Sequence, residues 1–319
     1  MSSTTTKKAL VLSGGSIKGA YEAGALKAVF EKGYKPDYIY GISVGNLNST
    51  FITHEAAKQF IATGTVDWVK VGLALWEFWS TEIDEPKKLV KKKCNLMLLL
   101  SLNWGMIFKK FDSILDTTPL QNLIKRRIDP DVIKQTPVKL HVGATNIYSG
   151  EILYVEPTDP DFLDFVVAST AIPIMMPVKI INGIPYLDGG LRDVAPFGKA
   201  INEGADEIIG VCCQSEKLDN VAYNYRDLLG LVDKIMDIIV TEIVNNDVKM
   251  IDTINELIHE HPGHEGSHHS KYKHVENTVI RPDKQINIDI VNFTQADIIN
   301  LMNKGYEDAK LKLIGRSWN

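Results

Sequence analysis

The stretch Tyr38-Ile39-Tyr40-Gly41-Ile42-Ser43-Val44-Gly45 constrains this 319-residue chain more than any other. A short apolar run leads directly into G-x-S-x-G, and a helical pattern follows. That is the order of a nucleophile elbow, where a strand turns sharply into a helix and lifts a serine out of the backbone. A serine hydroxyl is a weak nucleophile until a base takes its proton. Ser43 therefore needs a partner elsewhere in the chain.

The surrounding pattern supports such a turn. Residues 8–12 read as a first strand, followed by Gly14-Gly15-Ser16-Ile17-Lys18-Gly19 and a helix whose apolar face carries Tyr21, Ala25, Leu26, Val29 and Phe30. Gly33 suits that helix's end, and residues 37–42 form a second strand. Strand–helix–strand–helix order implies a parallel sheet with helices on its faces. Further strands are expected over 138–144, 152–155, 178–181, 184–187, 207–211 and 286–290, with Asn182-Gly183 as a hairpin turn. Helices are expected over about 161–169, 223–260 and 295–313. With no repeat or linker, residues 1–319 read as one domain with its core over about 8–212.

Composition narrows the function. A 45% hydrophobic and 24% charged chain is an ordinary globular one, and a net charge of −5 gives no support to a nucleic-acid partner. The N-terminal apolar run, Ala9 to Leu12, is too short for a secretory signal, and no stretch reaches the ~18 apolar residues of a membrane span. Cys94, Cys212 and Cys213 form no CxxC pair. These features lead to the expectation of a cytoplasmic protein with reduced thiols. Cys212 and Cys213 follow an apolar strand, where packing is the simpler reading than redox chemistry.

Two further groups of residues bear on Ser43. Gly14 and Gly15 lack side chains and precede a helix, so their N–H groups can approach a developing oxyanion. A phosphate-binding loop fits poorly, because Lys18 comes before Gly19 and Ser16 replaces the third glycine of a dinucleotide fingerprint. Six of eight histidines, His259, His261, His264, His268, His269 and His274, lie in a polar, glycine-containing segment that reads as a solvated loop. His54 falls on a helix and His141 within a strand. The better base is Asp188, which ends an apolar strand in Tyr186-Leu187-Asp188-Gly189-Gly190. Its alternative reading is a turn aspartate bonded to its own backbone.

At these blocks the chain resembles the patatin-like phospholipases. GGSIKGAYEAGAL (14–26) looks like the family's glycine-rich loop and helix, GISVG (41–45) like its elbow, and the block 168–196 like its D-G-[GA] segment. SILDTTPLQNLI (113–124) is similar to an internal family segment, and the likeness is weak beyond 212 apart from the closing helix. The resemblance implies a three-layer α/β/α sandwich with a mostly parallel central sheet. It implies a serine–aspartate dyad that cleaves lipid acyl esters. Ser43 would be nucleophile and Asp188 base. The backbone of Gly14, Gly15 and Ser16, joined by Val44 N–H, would form the oxyanion hole, with Lys18 at its positive rim. Phospholipid or lysophospholipid at a membrane surface would be the substrate, with no metal or other cofactor. Ser16 departs from the family's usual third glycine, and Val194 from a common asparagine. An acyltransferase using the same dyad, or a non-catalytic lipid-binding protein of the same fold, are the rival readings.

Residues 64–115 stand apart. Trp68, Trp76, Trp79 and Trp104 fall here, as do Lys87, Lys88, Lys91, Lys92 and Lys93 and the apolar run that follows them. Tryptophan and lysine suit an anionic membrane interface. The segment reads either as a lipid-facing flap, with 87–108 at its centre, or as a core helix pair with a solvated lysine face.

Overall fold

The computed structural model describes residues 6–93, 113–220, 228–260 and 273–318. Strand β1 (Lys8–Leu12) sends Leu10 and Leu12 into one core and Ala9 and Val11 into the other, all fully buried. A strand apolar on both faces must be covered by helices on both sides. From β1 the chain runs through α1 (Gly19–Glu31), β2 (Tyr38–Ile42), α2 (Val44–Thr63) and α3 (Trp68–Glu82). A two-stranded ladder of β3 (Lys91–Lys92) and β4 (Leu115–Asp116) precedes α4 (Thr118–Arg127) and α5 (Pro130–Ile133). Then come β5 (Lys139–Asn146), β6 (Ile152–Val155), α6 (Phe162–Ser169), and the hairpin of β7 (Lys179–Ile181) and β8 (Ile184–Asp188). The chain closes with α7 (Phe197–Asn202), β9 (Glu207–Val211), α8 (Leu228–Glu260), β10 (Glu276–Ile280) and α9 (Gln295–Lys312).

The large sheet has the order β10-β9-β1-β2-β5-β8-β7, with β6 also pairing on β5. From β10 to β5 every pairing is parallel; β6, β7 and β8 join antiparallel. The fold is therefore α/β, a mostly parallel sheet between two helical layers. The chain builds outward from β1 through β2 to β5, then returns to the other side of β1 as β9 and β10. A crevice opens at such a reversal, beyond the strands' C-terminal ends. The glycine loop leaves β1 there, and Ser43 leaves β2.

Helix α1 is buried almost all round because its small residues let neighbours approach. A methyl group on Gly24 would strike the Met302 carbonyl of α9, and one on Gly305 would strike the Tyr21 carbonyl of α1. Gly24→Ala should therefore lower the unfolding free energy by about 1–3 kcal/mol, the usual cost of forced overpacking. Urea denaturation checks this, and an unshifted midpoint would contradict so close a helix crossing.

One expected strand does not form. Residues 286–290 carry no ladder with the large sheet, and the last strand is instead β10, pairing parallel with β9. Ile286, Ile288 and Ile290 pack against the core, while Asn287 and Asp289 are exposed. That two-sided environment produces the strand-like alternation without a pairing partner.

Within 64–115, helix α3 packs into the core: Trp68 and Trp79 are buried and Trp76 partly so. The Trp79 indole N–H donates to Asn48 Oδ1 at 2.7 Å. Lys87 pairs with Glu85 at 3.0 Å, Lys88 with Asp84 at 2.5 Å, and Lys93 donates to Ser113 Oγ at 2.6 Å. Trp104 and the rest of 94–112 lie outside the described residues, as does 261–272 of the histidine-rich segment. Among the described residues no helix is long and apolar enough to cross a membrane. Cys212 and Cys213 are buried free thiols, and burial pushes Cys212 up to about 12, as expected of packing cysteines.

Candidate active site

Ser43 sits at the turn between β2 and α2 with φ 55° and ψ −124°, a backbone conformation that side chains rarely adopt. The glycines of G-x-S-x-G explain how the turn is held. A methyl on Gly41 would meet Ser49 Oγ, and one on Gly45 would lie 2.5 Å from the carbonyls of Leu12 and Ser13. The Gly45 N–H donates to Ser13 O at 3.1 Å, and the Ser43 N–H to Ser169 Oγ at 3.0 Å. The elbow is thus pinned to β1 on one side and to α6 on the other.

The glycine loop lies against it. A methyl on Gly14 would come within 3.1 Å of Ser43 Cβ, so glycine lets the loop pass the serine without pushing it aside. The Gly14 N–H itself donates to Val194 O at 2.9 Å. Gly14 therefore contributes space beside Ser43, not a donor. The Gly14 carbonyl accepts from Gln214 Nε2 at 2.7 Å and from Ser13 Oγ at 3.1 Å. Because a trans peptide directs its C=O and the next N–H oppositely, this grip aims the Gly15 N–H away from Gln214. Among the described residues nothing accepts the Gly15, Ser16 or Val44 N–H. Ser16 has φ 54°, so it takes the conformation that a third glycine would adopt freely.

Asp188 ends β8, where its N–H donates to Ala171 O and its carbonyl accepts from Thr145 Oγ1, both at 3.0 Å. Its carboxylate accepts from the Gly190 N–H at 2.8 Å. The Gly190 bond fits the turn reading, and Asp188 also lines the same cavity as Ser43, whose side chain bears on the carboxyl's ionisation. Asp188 and Ser43 are each 5% exposed. Burial raises the Asp188 carboxyl to about 6, against the lowering effects of the nearby Ser43 side chain and the Gly190 N–H.

The cavity measures about 550 Å³, a size that suits a small ligand or one part of a lipid. Gly15, Ser16, Lys18, Gln214 and Asp237 line it. Lys18 is not at a free rim: it is buried, and its Nζ pairs with Asp237 Oδ1 of α8 at 2.5 Å. Ser43 also lines a second pocket, of only about 40 Å³, whose walls are nearly all apolar, including Leu47, Trp79, Ile83, Leu120 and Met176. Ser43 thus lines both a larger chamber that carries the charged side chains and a small pocket that carries none.

No described histidine lines either chamber. His54 accepts from the Asp129 N–H at 3.2 Å, and His141 stacks on Tyr40 and faces Glu203 on the opposite side of the sheet. Gln214 and Asp237 were not singled out from the sequence. Gln214 follows an apolar strand just beyond two cysteines, a position that offers no local motif. Asp237 is one acidic residue on a long amphipathic helix.

The family model described as Patatin-like phospholipase matches residues 10–201, which span β1, the glycine loop, the elbow, β8 and Asp188. No curated protein matches the chain. Among solved structures, the crystal structure of VipD from Legionella pneumophila aligns with a TM-score of 0.44 at 13% identity, covering 98% of this chain and 67% of that one.

Proposed function

Since the chain belongs to the patatin-like phospholipase family, we propose that it is a lipid acyl hydrolase of the phospholipase A or lysophospholipase type, working through an acyl-Ser43 intermediate with Asp188 as base. The observation that carries this reading is one cavity lined by a strained serine, by a buried carboxyl, and by backbone N–H groups with no acceptor among the described residues. The larger chamber, of about 550 Å³, carries both charged and apolar side chains and suits the substrate's head group and part of its acyl chain, while the small apolar pocket has room for little more than a methylene or two.

Ser43 Oγ attacks the ester carbonyl as its proton passes to Asp188. The tetrahedral oxyanion takes hydrogen bonds from the Gly15, Ser16 and Val44 N–H groups, which stabilise it where its charge develops. The C–O bond to the leaving alcohol breaks, and Asp188 returns the proton to that oxygen. Water then attacks acyl-Ser43, giving its proton to Asp188. Collapse releases the fatty acid, and the proton returns to Ser43 Oγ. The protein meets its lipid as a peripheral visitor at a membrane surface, with the exposed Lys92 lining the cavity.

Incubation with mixed phospholipids and lysophospholipids, followed by product identification, tests the reading. Free fatty acid with wild type and none with Ser43→Ala is expected. Acyl transfer to an acceptor other than water would replace it with the acyltransferase reading, and no product would favour a lipid-binding protein.

A pH dependence follows from the base. Asp188 must be ionised to accept a proton, and its pKa lies at about 6. On a soluble ester, kcat/KM should fall about tenfold per pH unit below that value and level off above it. A profile flat across this range would contradict Asp188 as the base.

A further inference from the structure

Building on the hydrolase reading, we propose that Asp237 sets head-group selectivity. By pairing with Lys18 it leaves the buried end of the Ser43 cavity without net positive charge. The site then takes zwitterionic or uncharged head groups and disfavours anionic ones.

The larger chamber, unlike the small pocket, carries charged side chains, and it is there that the polar head group of an ester seated at Ser43 meets them. The charged residues lining that chamber among the described ones are Lys18, Lys92, Asp188, Asp237 and Asp289. Lys92 and Asp289 are exposed and oppose one another in sign. Lys18, Asp188 and Asp237 are the buried set, and in it one cation faces two carboxyls.

The pair is built in. The Lys18 and Asp237 side chains are 8% and 13% exposed, and their contact of 2.5 Å joins the start of α1 to α8. Asp237 Oδ2 accepts from Gln285 Nε2 at 2.8 Å. Gln285 Oε1 in turn accepts from the Asp219 N–H at 3.2 Å and from Lys234 Nζ at 3.4 Å. Asp237 is therefore held on both oxygens.

An anionic head group could reach Lys18 only by displacing Asp237. That would leave a buried carboxylate beside a second negative charge, where low dielectric makes repulsion severe. A zwitterionic head group brings its own cation toward Asp237, and an uncharged one asks nothing of the pair. The carboxylate of α8 occupies the place that a substrate anion would otherwise fill.

The test compares dihexanoylphosphatidylcholine with dihexanoylphosphatidylglycerol, both kept monomeric so that adsorption to a lipid surface does not enter. The readout is the ratio of their kcat/KM values on one preparation, in which the folded fraction cancels. Wild type should favour the choline lipid, and Asp237→Asn should lower the ratio by about tenfold or more, the scale of one charge interaction. Because Asp237→Asn strands Lys18 and could fail to fold, the double variant Lys18→Met/Asp237→Leu provides a second arm. Its ratio should lie between the other two, since both charges are gone. An unchanged ratio in Asp237→Asn, or a double variant that matches Asp237→Asn, overturns the proposal alone. Absence of hydrolysis of both lipids by wild type overturns the hydrolase reading and this proposal together.

Discussion

Asp188→Asn is expected to lower turnover of a soluble ester by roughly 10²–10⁴-fold, the usual contribution of a positioned general base. A free aspartate has a pKa near ~3.9, far below that of a serine hydroxyl, so it is a poor base in water. Burial to 5% exposure changes this by raising the carboxyl to about 6. Proton transfer can then accompany attack while the loop amides stabilise the oxyanion. Asparagine keeps the side chain's shape and an oxygen for the Gly190 N–H, but it cannot take a proton. The variant should also remain folded. A carboxyl with a folded pKa above its unfolded value costs stability once pH has risen through both, so the penalty is in full force above about pH 6. Removing that carboxylate should therefore stabilise the protein at neutral pH, by up to ~3 kcal/mol, and thermal unfolding would show it. Substitution of His54, His141, or the six histidines from His259 to His274 should not match the loss of turnover. A folded histidine variant as inactive as Asp188→Asn would mean that a triad operates.

Ser43→Ala should lower turnover further, by about 10⁵-fold or more, as expected when a covalent nucleophile is lost. Its fold should survive. The bonds that pin the elbow run through the Ser43 and Gly45 N–H groups, and alanine retains both. Alanine also retains Cβ, so the positive φ remains strained. Ser43→Gly would relieve that strain, worth about 1 kcal/mol or more, and should be the more stable of the two inactive proteins. Denaturant midpoints of the two variants check this ordering. Equal or reversed midpoints would argue that the elbow is not strained.

The elbow was legible in the sequence because its demands are local. Gly41 and Gly45 are required by contacts within a few residues of the turn or with the adjacent strand. Asp188 was legible for the same kind of reason, as a carboxylate at a strand end before two glycines. The partners that tune these residues were not legible. Lys18 meets Asp237 across 219 positions, and the Gly14 carbonyl meets Gln214 across 200. Such pairs are set by where β9 and α8 come to rest against β1, and no short motif encodes that. The Gly14 N–H reads as an oxyanion donor from its missing side chain and its place before a helix, yet Val194 O occupies it. Backbone partners leave no trace in side-chain identity. The expected strand at 286–290 misled for a related reason: alternation records two environments, and a ladder is only one way to create them.

The central claim is that Ser43 is the nucleophile of a histidine-independent site. The most direct measurement is intact mass after incubation with a fluorophosphonate, followed by peptide mapping of the adduct. One adduct per chain is expected, on Ser43. Strongly slowed labelling is expected in Asp188→Asn, and labelling close to wild type in folded variants of the histidines. No adduct on Ser43 in the folded wild-type protein, or an adduct on a different residue, would contradict it.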